Sequence, residues 1–330
     1  MAIYSNRIVV SVSKAGIGPW LHITNSQNTA IQVGFQVMWQ VPVNTLQARF
    51  PSLNSNLSNL RFVYNGQFVP AWLESINNGT ATIWIKMPVS IPANSSITLN
   101  LYANPGLNFD GVYWGEAPQL SSTYGQYDNG ASVFPYYQKW GGLSSLPSGW
   151  SSISGTVITY ASTYTEIAPA PSTTGWFGIS LNPIPSSLSS TTTVWEFYGN
   201  MYDSVPAGNY VGTTQWNNGG GYSGYGFMEG ASPTNLINFA NNNTLFKTGY
   251  NDTNNSKVYT MQMNTATSLQ MFINYEQIYS TTSATAESVT YFSISAGNNG
   301  GGAPSTPIYI YWLRVRAYPP NGVMPTVELI

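Results

Sequence analysis

Two carboxylates stand on alternating runs beside aromatic residues, Glu196 in "VWEFYG" and Glu229 in "GFMEG". A glycosidase needs two carboxyl groups facing one cleft, roughly 5 to 10 Å apart. No Glu-x-Asp-x-x-Glu run, which would bring such groups onto a single strand, occurs in the chain. The spacing therefore favours separate outward-facing or rim carboxylates over a catalytic pair. Around them, Trp216, Tyr222 and Tyr225 in "WNNGGGYSGYG" offer aromatic faces on which sugar rings could stack. With Glu196 and Glu229 they form a candidate glycan-binding set, against a competing reading of ordinary packing and a tyrosine-rich surface.

Other chemistry is thinner. Asp128, Asp203 and Asp252 lie in polar or Gly-containing loops able to offer oxygen to calcium, but they lack the spacing of a dedicated site, so no cofactor is expected. His22, the one histidine, alternates with Leu21 and Ile23 and has no nearby Ser or Asp to complete a triad, which makes it a structural imidazole. Gly219, Gly221 and Gly224 have the spacing of a dinucleotide-binding loop. That loop works only between a strand and a helix N-terminus, and here the flanks "NYVGTTQW" and "YGFME" both alternate as strands. The glycines then mark a hairpin. Asn-x-Ser/Thr sequons at Asn56, Asn78, Asn94, Asn242, Asn251 and Asn254 permit glycosylation without arguing for it, being about as frequent as composition alone would give.

Composition narrows the function classes. Charged residues are 7% of the 330, against about a quarter in ordinary domains. Ser, Thr, Asn, Gly and Tyr cover the surface instead. Ten basic and twelve acidic residues give a net charge of −2, too little positive charge to follow a phosphate backbone, so nucleic acid is not an expected partner. Few titrating groups also mean a charge that changes little with pH, which would suit an exposed, acid or hot setting. No cysteine is present, excluding disulfides and thiol nucleophiles. No apolar run approaches 18 residues, and the opening "MAIYSNRIVVSVSKAG" is not a secretion signal. Either a signal precedes this numbering or the protein reaches an exterior surface another way, such as virion assembly.

The elements that must position these residues are strands. "IQVGFQVMWQV" places Ile31, Val33, Phe35, Val37, Trp39 and Val41 on one face and Gln32, Gln36, Met38 and Gln40 on the other. "TATIWIKM" turns Ala81, Ile83, Ile85 and Met87 inward, and "SITLNLY" does so with Ile97, Leu99 and Leu101. Only "VNTLQARFPS" reads as a short helix, stopped by Pro51. The Gly/Pro-rich stretch 111–130 is read as a linker between a sandwich over 19–110 and a larger one over 131–330, built from runs such as "TTVWEFYG", "KVYTMQMN", "SLQMFINY" and "PIYIYWLRVRAY". Residues 1–18 carry Ile8, Val10 and Val12 on one side of a strand of their own. It adds either to its own sheet or to the open edge of a neighbouring copy as a donor strand.

The runs "WLHITNSQNTAIQVGFQVMWQVP" and "LRFVYNGQFVPAWLESINNGTATIWIKMPVSIPANSSITLNLYANPG" resemble a domain family of unknown function found in archaeal and bacterial surface proteins. "SKVYTMQMNTATSLQMFINYEQIYS" and "IYIYWLRVRAYPPNGVMPTVEL" look like the central hairpin and last strand of a concanavalin-like, laminin-G-type jelly roll. These resemblances imply an all-β chain of two antiparallel β-sandwiches, the N-terminal one immunoglobulin-like, displayed outside a cell and without catalytic residues. The expected function is a noncatalytic structural or adhesive surface protein, self-associating as a filament subunit by strand addition. The alternatives are a glycan-binding module, a virion spike or coat protein, and a glycosidase.

Overall fold

A computed structural model describes residues 17–170, 176–188, 193–201, 208–217, 221–229, 236–241, 244–251, 255–265, 268–282, 292–297 and 307–330, in places by backbone alone. The chain is all-β and divides into two compact units, the first made of residues 1–134 and 319–330, the second of residues 135–318.

The first unit carries β1 (Ile17–Asn25), β2 (Gln36–Pro42), α1 (Val43–Arg49), β3 (Leu60–Tyr64), β4 (Gln67–Val69), β5 (Ala71–Asn77), β6 (Thr80–Lys86), β7 (Ser95–Ala103), β8 (Trp114–Glu116), the single turn α2 (Gly130–Val133) and, from the far end of the chain, β24 (Thr326–Leu329). Its sheets run β24-β1-β7-β3-β4 and β2-β6-β5-β8, antiparallel except for the β5–β8 pair. Ala81, Ile83, Ile85 and Met87 are buried as the alternation requires, and so are Leu99 and Leu101, while Ile97 is half-buried.

Three expectations change here. Val33 is 66% exposed, because Gly34 at φ +84° turns the chain and β2 begins only at Gln36. Ile31 remains in register through a lone bridge to Ile91. Gln36, expected outside, is buried. The face opposite the inter-sheet core is covered as well: Trp72 and Trp84 both pack edge-on against Phe134. Residues 111–130 are not a linker. Trp114 lies fully buried on β8, edge-on to Phe62 and tilted against Phe109, with its indole N–H donated to the Leu57 carbonyl at 2.8 Å. The boundary falls at residues 134/135, and the chain crosses back at 318/319 so that "TVEL" pairs antiparallel with β1, Leu21 opposite Leu329. The second unit is thus an insertion in the first.

The second unit holds β9 (Tyr136–Lys139), β10 (Trp150–Ser152), β11 (Thr156–Tyr160), β12 (Thr165–Pro169), β13 (Trp176–Leu181), β14 (Thr193–Asn200), β15 (Gly208–Asn217), β16 (Gly221–Glu229), β17 (Leu236–Asn241), β18 (Thr244–Asn251), β19 (Lys257–Thr265), β20 (Ser268–Ile273), β21 (Glu276–Thr281), β22 (Phe292–Gly297) and β23 (Ile308–Ala317). Two antiparallel sheets result, β10-β13-β22-β15-β16-β17-β18 and β11-β12-β23-β14-β19-β20-β21, with β9 also on β23. Trp195, Phe197, Tyr259, Met271, Ile294 and Leu313 are among the side chains that fill the core. β23, the last strand of this unit in chain order, is central in its sheet, flanked by β14 on one side and by β12 and β9 on the other. The glycine cluster joins β15 to β16 as a hairpin, Asn217 opposite Gly221.

Candidate functional site

On β14, Trp195 and Phe197 face the core, so period two turns Glu196 and Tyr198 to the other face of the eight-stranded sheet. β23 does the same with Arg314 and Arg316, which alternate with the core residues Leu313 and Val315. The register places Glu196 opposite Arg314. Its Oε2 meets Arg314 Nε at 2.6 Å, and its Oε1 accepts from Arg316 Nε at 3.1 Å and Thr260 Oγ1 at 3.2 Å. Glu196 and Arg314 are each 0% exposed. Burial pushes the carboxyl upward, but the two guanidinium charges and their hydrogen bonds outweigh it and hold Glu196 below the ordinary carboxylate range. Arg314 Nη2 donates to the Tyr275 hydroxyl at 2.8 Å. Asn274 and Tyr275 are both at positive φ, as a two-residue hairpin turn between β20 and β21 demands.

A row of aromatic rings continues from this network. The Arg314 guanidinium lies 4.7 Å over the Trp312 ring, and Trp312 stacks on Tyr198 at 5.3 Å and 22°. Tyr198 meets Tyr311 at 5.3 Å, and Tyr164 meets both Tyr311 and Tyr309, at 6.0 and 5.0 Å. Tyr164, Tyr198, Tyr309 and Tyr311 are half-buried, so their rings are fixed by packing while part of each remains open to solvent. Glu166 on β12 stands opposite Tyr309 on β23. Burial, then the charge of Glu166 and the neighbouring Tyr164 and Tyr311, push the Tyr309 hydroxyl upward, which keeps it a hydrogen-bond donor at neutral pH.

The aim of this row depends on a β-bulge. The register steps from Tyr198 opposite Trp312 to Gly199 opposite Ile310, leaving Tyr311 as the extra residue. A bulge bends its strand and re-aims side chains, and here Tyr309, Tyr311 and Trp312 all reach rings on the same face of the sheet. Gly199 permits it, since a Cβ there would lie 2.2 Å from the Tyr309 carbonyl oxygen.

The residues singled out from sequence fare differently. Glu196 is neither a sugar-facing nor a rim carboxylate, because a fully buried group bound by two guanidiniums reaches no substrate. Glu229 is on β16, in the other sheet, with Tyr222, Tyr225 and its β15 neighbour Trp216; their backbones pair as a hairpin and their side chains lie outside the described residues. Asp128 serves as a structural acceptor: its Oδ1 takes hydrogen bonds from Trp72 Nε1 at 2.9 Å and Gly130 N at 3.0 Å. Asp203 and Asp252 lie outside the described residues, as do Ile8, Val10, Val12, Asn242 and Asn254. Of Asn251 only the backbone, paired with Leu236, is described. Among the described residues no three acidic or histidine side chains group as a metal site would need. Asn56, Asn78 and Asn94 are exposed. His22 is half-exposed on β1, its Nδ1 3.4 Å from Thr98 Oγ1. Sequence reasoning passed over Tyr164, Tyr198, Tyr309 and Tyr311. The alternation Ile308-Tyr309-Ile310-Tyr311 carried the signal, with isoleucines inward and tyrosines outward.

No protein-family model matches the chain. It is similar to the uncharacterized protein 562 of Sulfolobus islandicus rod-shaped virus 1, with 28% identity across 92% of this chain and 57% of that protein. The chain therefore spans little more than half the length of this relative. Among solved structures it is similar to a Bacillus licheniformis beta-glucanase, with 10% identity, 55% of this chain, 97% of the other and a TM-score of 0.41. It is likewise similar to the carbohydrate recognition domain of Emp47p, with 10% identity, 55% of this chain, 95% of the other and a TM-score of 0.41. Among the described residues no helix is long and apolar enough to cross a membrane.

Proposed function

We propose that the chain is a noncatalytic adhesive protein of an exposed biological surface, holding neutral glycans along the aromatic row of its second unit. The observation that carries this is the fixed, half-open set Tyr164, Tyr198, Tyr309 and Tyr311 with the Glu166 carboxylate beside it. Pre-packed aromatic faces give a pyranose ring a large contact area without ordering cost, and phenol hydroxyls with a carboxylate supply donors and an acceptor for its hydroxyls. The near absence of surface charge favours a neutral ligand. A glycan array with the full chain tests it. Tyr309→Ala and Tyr311→Ala are each expected to weaken the best-bound glycan at least about tenfold, or roughly 1.4 kcal/mol, with melting temperature little changed. Binding that survives both substitutions places any glycan site elsewhere.

The viral source of the relative supports a virion as the surface in question. In the filament form of this reading, residues 1–16 add to a sheet of the next copy. The strand they join is not β1, which is paired on both sides, by β24 and β7. The acceptor would be an edge strand such as β24 or β4. Removing residues 1–16 is expected to convert filaments or large oligomers to monomers on size exclusion and in electron micrographs. Assembly that persists without them rules out this donor strand.

A further inference from the structure

The first unit holds a cleft of about 410 Å³ that the glycan row does not involve. One wall is aromatic: the Phe109 and Tyr127 rings lie 6.2 Å apart and 31° from parallel. Leu73 adds aliphatic surface, and Asn108 and Gln126 are among the neutral amides that line the rest. Glu116, at the end of β8, is the one lining residue with a formal charge at neutral pH, and no lining residue is cationic.

The position of Glu116 follows from the fold. β8 pairs in parallel with β5, Glu116 opposite Leu73, and the Glu116 N–H donates to the Tyr127 carbonyl at 3.3 Å. Ser121 Oγ donates to Glu116 Oε1 at 2.8 Å. Among the described residues Oε2 has neither a hydrogen bond nor an ion pair. Glu116 is only 6% exposed, and burial pushes its carboxyl above the ordinary range, with the Ser121 hydrogen bond opposing.

No neighbouring charge compensates it. Glu74 on β5 accepts from Trp84 Nε1, a ring on the opposite face of that sheet from the cleft. Asp110 and Arg61 pair with each other at 3.1 Å, and Arg61 also donates to the Asn108 carbonyl at 2.6 Å. The segment after β8 brings two phenols, Tyr124 and Tyr127, and one carboxylate, Asp128, which accepts from Trp72 Nε1 and the Gly130 N–H, but no cation.

A carboxylate in a largely dry wall gains most from a ligand that brings the missing positive charge, and aromatic faces attract the same charge. We propose that this cleft binds a primary alkylammonium group, its head on Glu116 Oε2 and its methylenes against Phe109, Tyr127 and Leu73. Free polyamines and lysine side chains share this chemistry. A sugar would satisfy the amides but leave the carboxylate without a counter-charge.

Calorimetric titration of the full chain at pH 7.5 and low salt, with spermidine in one arm and Nα-acetyl-lysine amide in the other, separates the two sources. N-acetylglucosamine serves as the neutral comparison. At least one amine is expected to bind, and Glu116→Gln to weaken it about tenfold or more. Wild-type affinity should also fall as pH is lowered from 7.5 to 4.5, because protonation of Glu116 removes the attraction. This profile decides the matter even if Glu116→Gln does not fold. The proposal is overturned if neither amine binds, if the pH profile is flat, if a folded Glu116→Gln binds as tightly as wild type, or if the neutral sugar binds in preference.

Discussion

Glu196→Gln is expected to lower the melting temperature of the second unit by roughly 10 °C at pH 7. The substitution keeps side-chain volume and removes the carboxylate charge that both Arg314 and Arg316 meet. Breaking a buried ion pair from one side costs about 3–5 kcal/mol, since the remaining charge stays desolvated without compensation. For a unit of this size each kcal/mol corresponds to about 2–4 °C. The effect has a definite pH sign. The folded-state carboxyl is held below its ordinary value of 4.5, so its stabilisation is complete above that value and disappears as pH falls through the depressed one. Scanning calorimetry of both proteins between pH 7 and pH 2 checks this. The gap between them should close on acidification, and a gap that stays constant would mean that packing, not charge, sets the difference.

Gly199→Ala is expected to cost about 2–3 kcal/mol and to abolish glycan binding at temperatures where the protein remains folded. The new methyl would sit 2.2 Å from the Tyr309 carbonyl oxygen and 2.3 Å from Phe197 Cζ. The first is backbone, and the second, though the tip of a ring, is held in the core with Phe197 fully buried, so β14 and β23 must separate. The bulge that leaves Tyr311 unpaired against β14 then loses its register, and Tyr309 and Tyr311 lose their common aim. Paired measurements of melting and glycan affinity distinguish this from a local stability defect: Gly199→Ala should match Tyr309→Ala in binding while exceeding it in destabilisation. A variant that melts early but binds normally would detach the bulge from recognition.

Period-two patterning made most of this architecture legible. Ala81, Ile83 and Ile85, or Leu269, Met271 and Ile273, alternate because one face of each strand meets a core, and that cause acts within five residues of sequence. Where the cause is nonlocal, the reading failed. Nothing in "VWEFYG" shows that Glu196 meets Arg314, 118 residues later. The alternation of Trp312, Arg314 and Arg316 through "WLRVR" did hint that cations were being placed on one face of an apolar strand. The linker expected over 111–130 failed for a related reason: its Gly and Pro content described the backbone, while Trp114, buried against Phe62 and Phe109, decided where it packs. Val33 was misplaced by one glycine.

The return of β24 to β1 sets an order of events at the ribosome. The partner of Leu21 and Ile23 on that side is translated roughly 300 residues after them, a delay of about 15 to 60 s at ordinary elongation rates. By the end of that interval the whole inserted sandwich has been synthesised, whereas the host sandwich still has a bare backbone ladder along one side of β1. The host sandwich, begun first, is therefore completed last, and that side of β1 stays open to a foreign strand until Thr326–Leu329 is made.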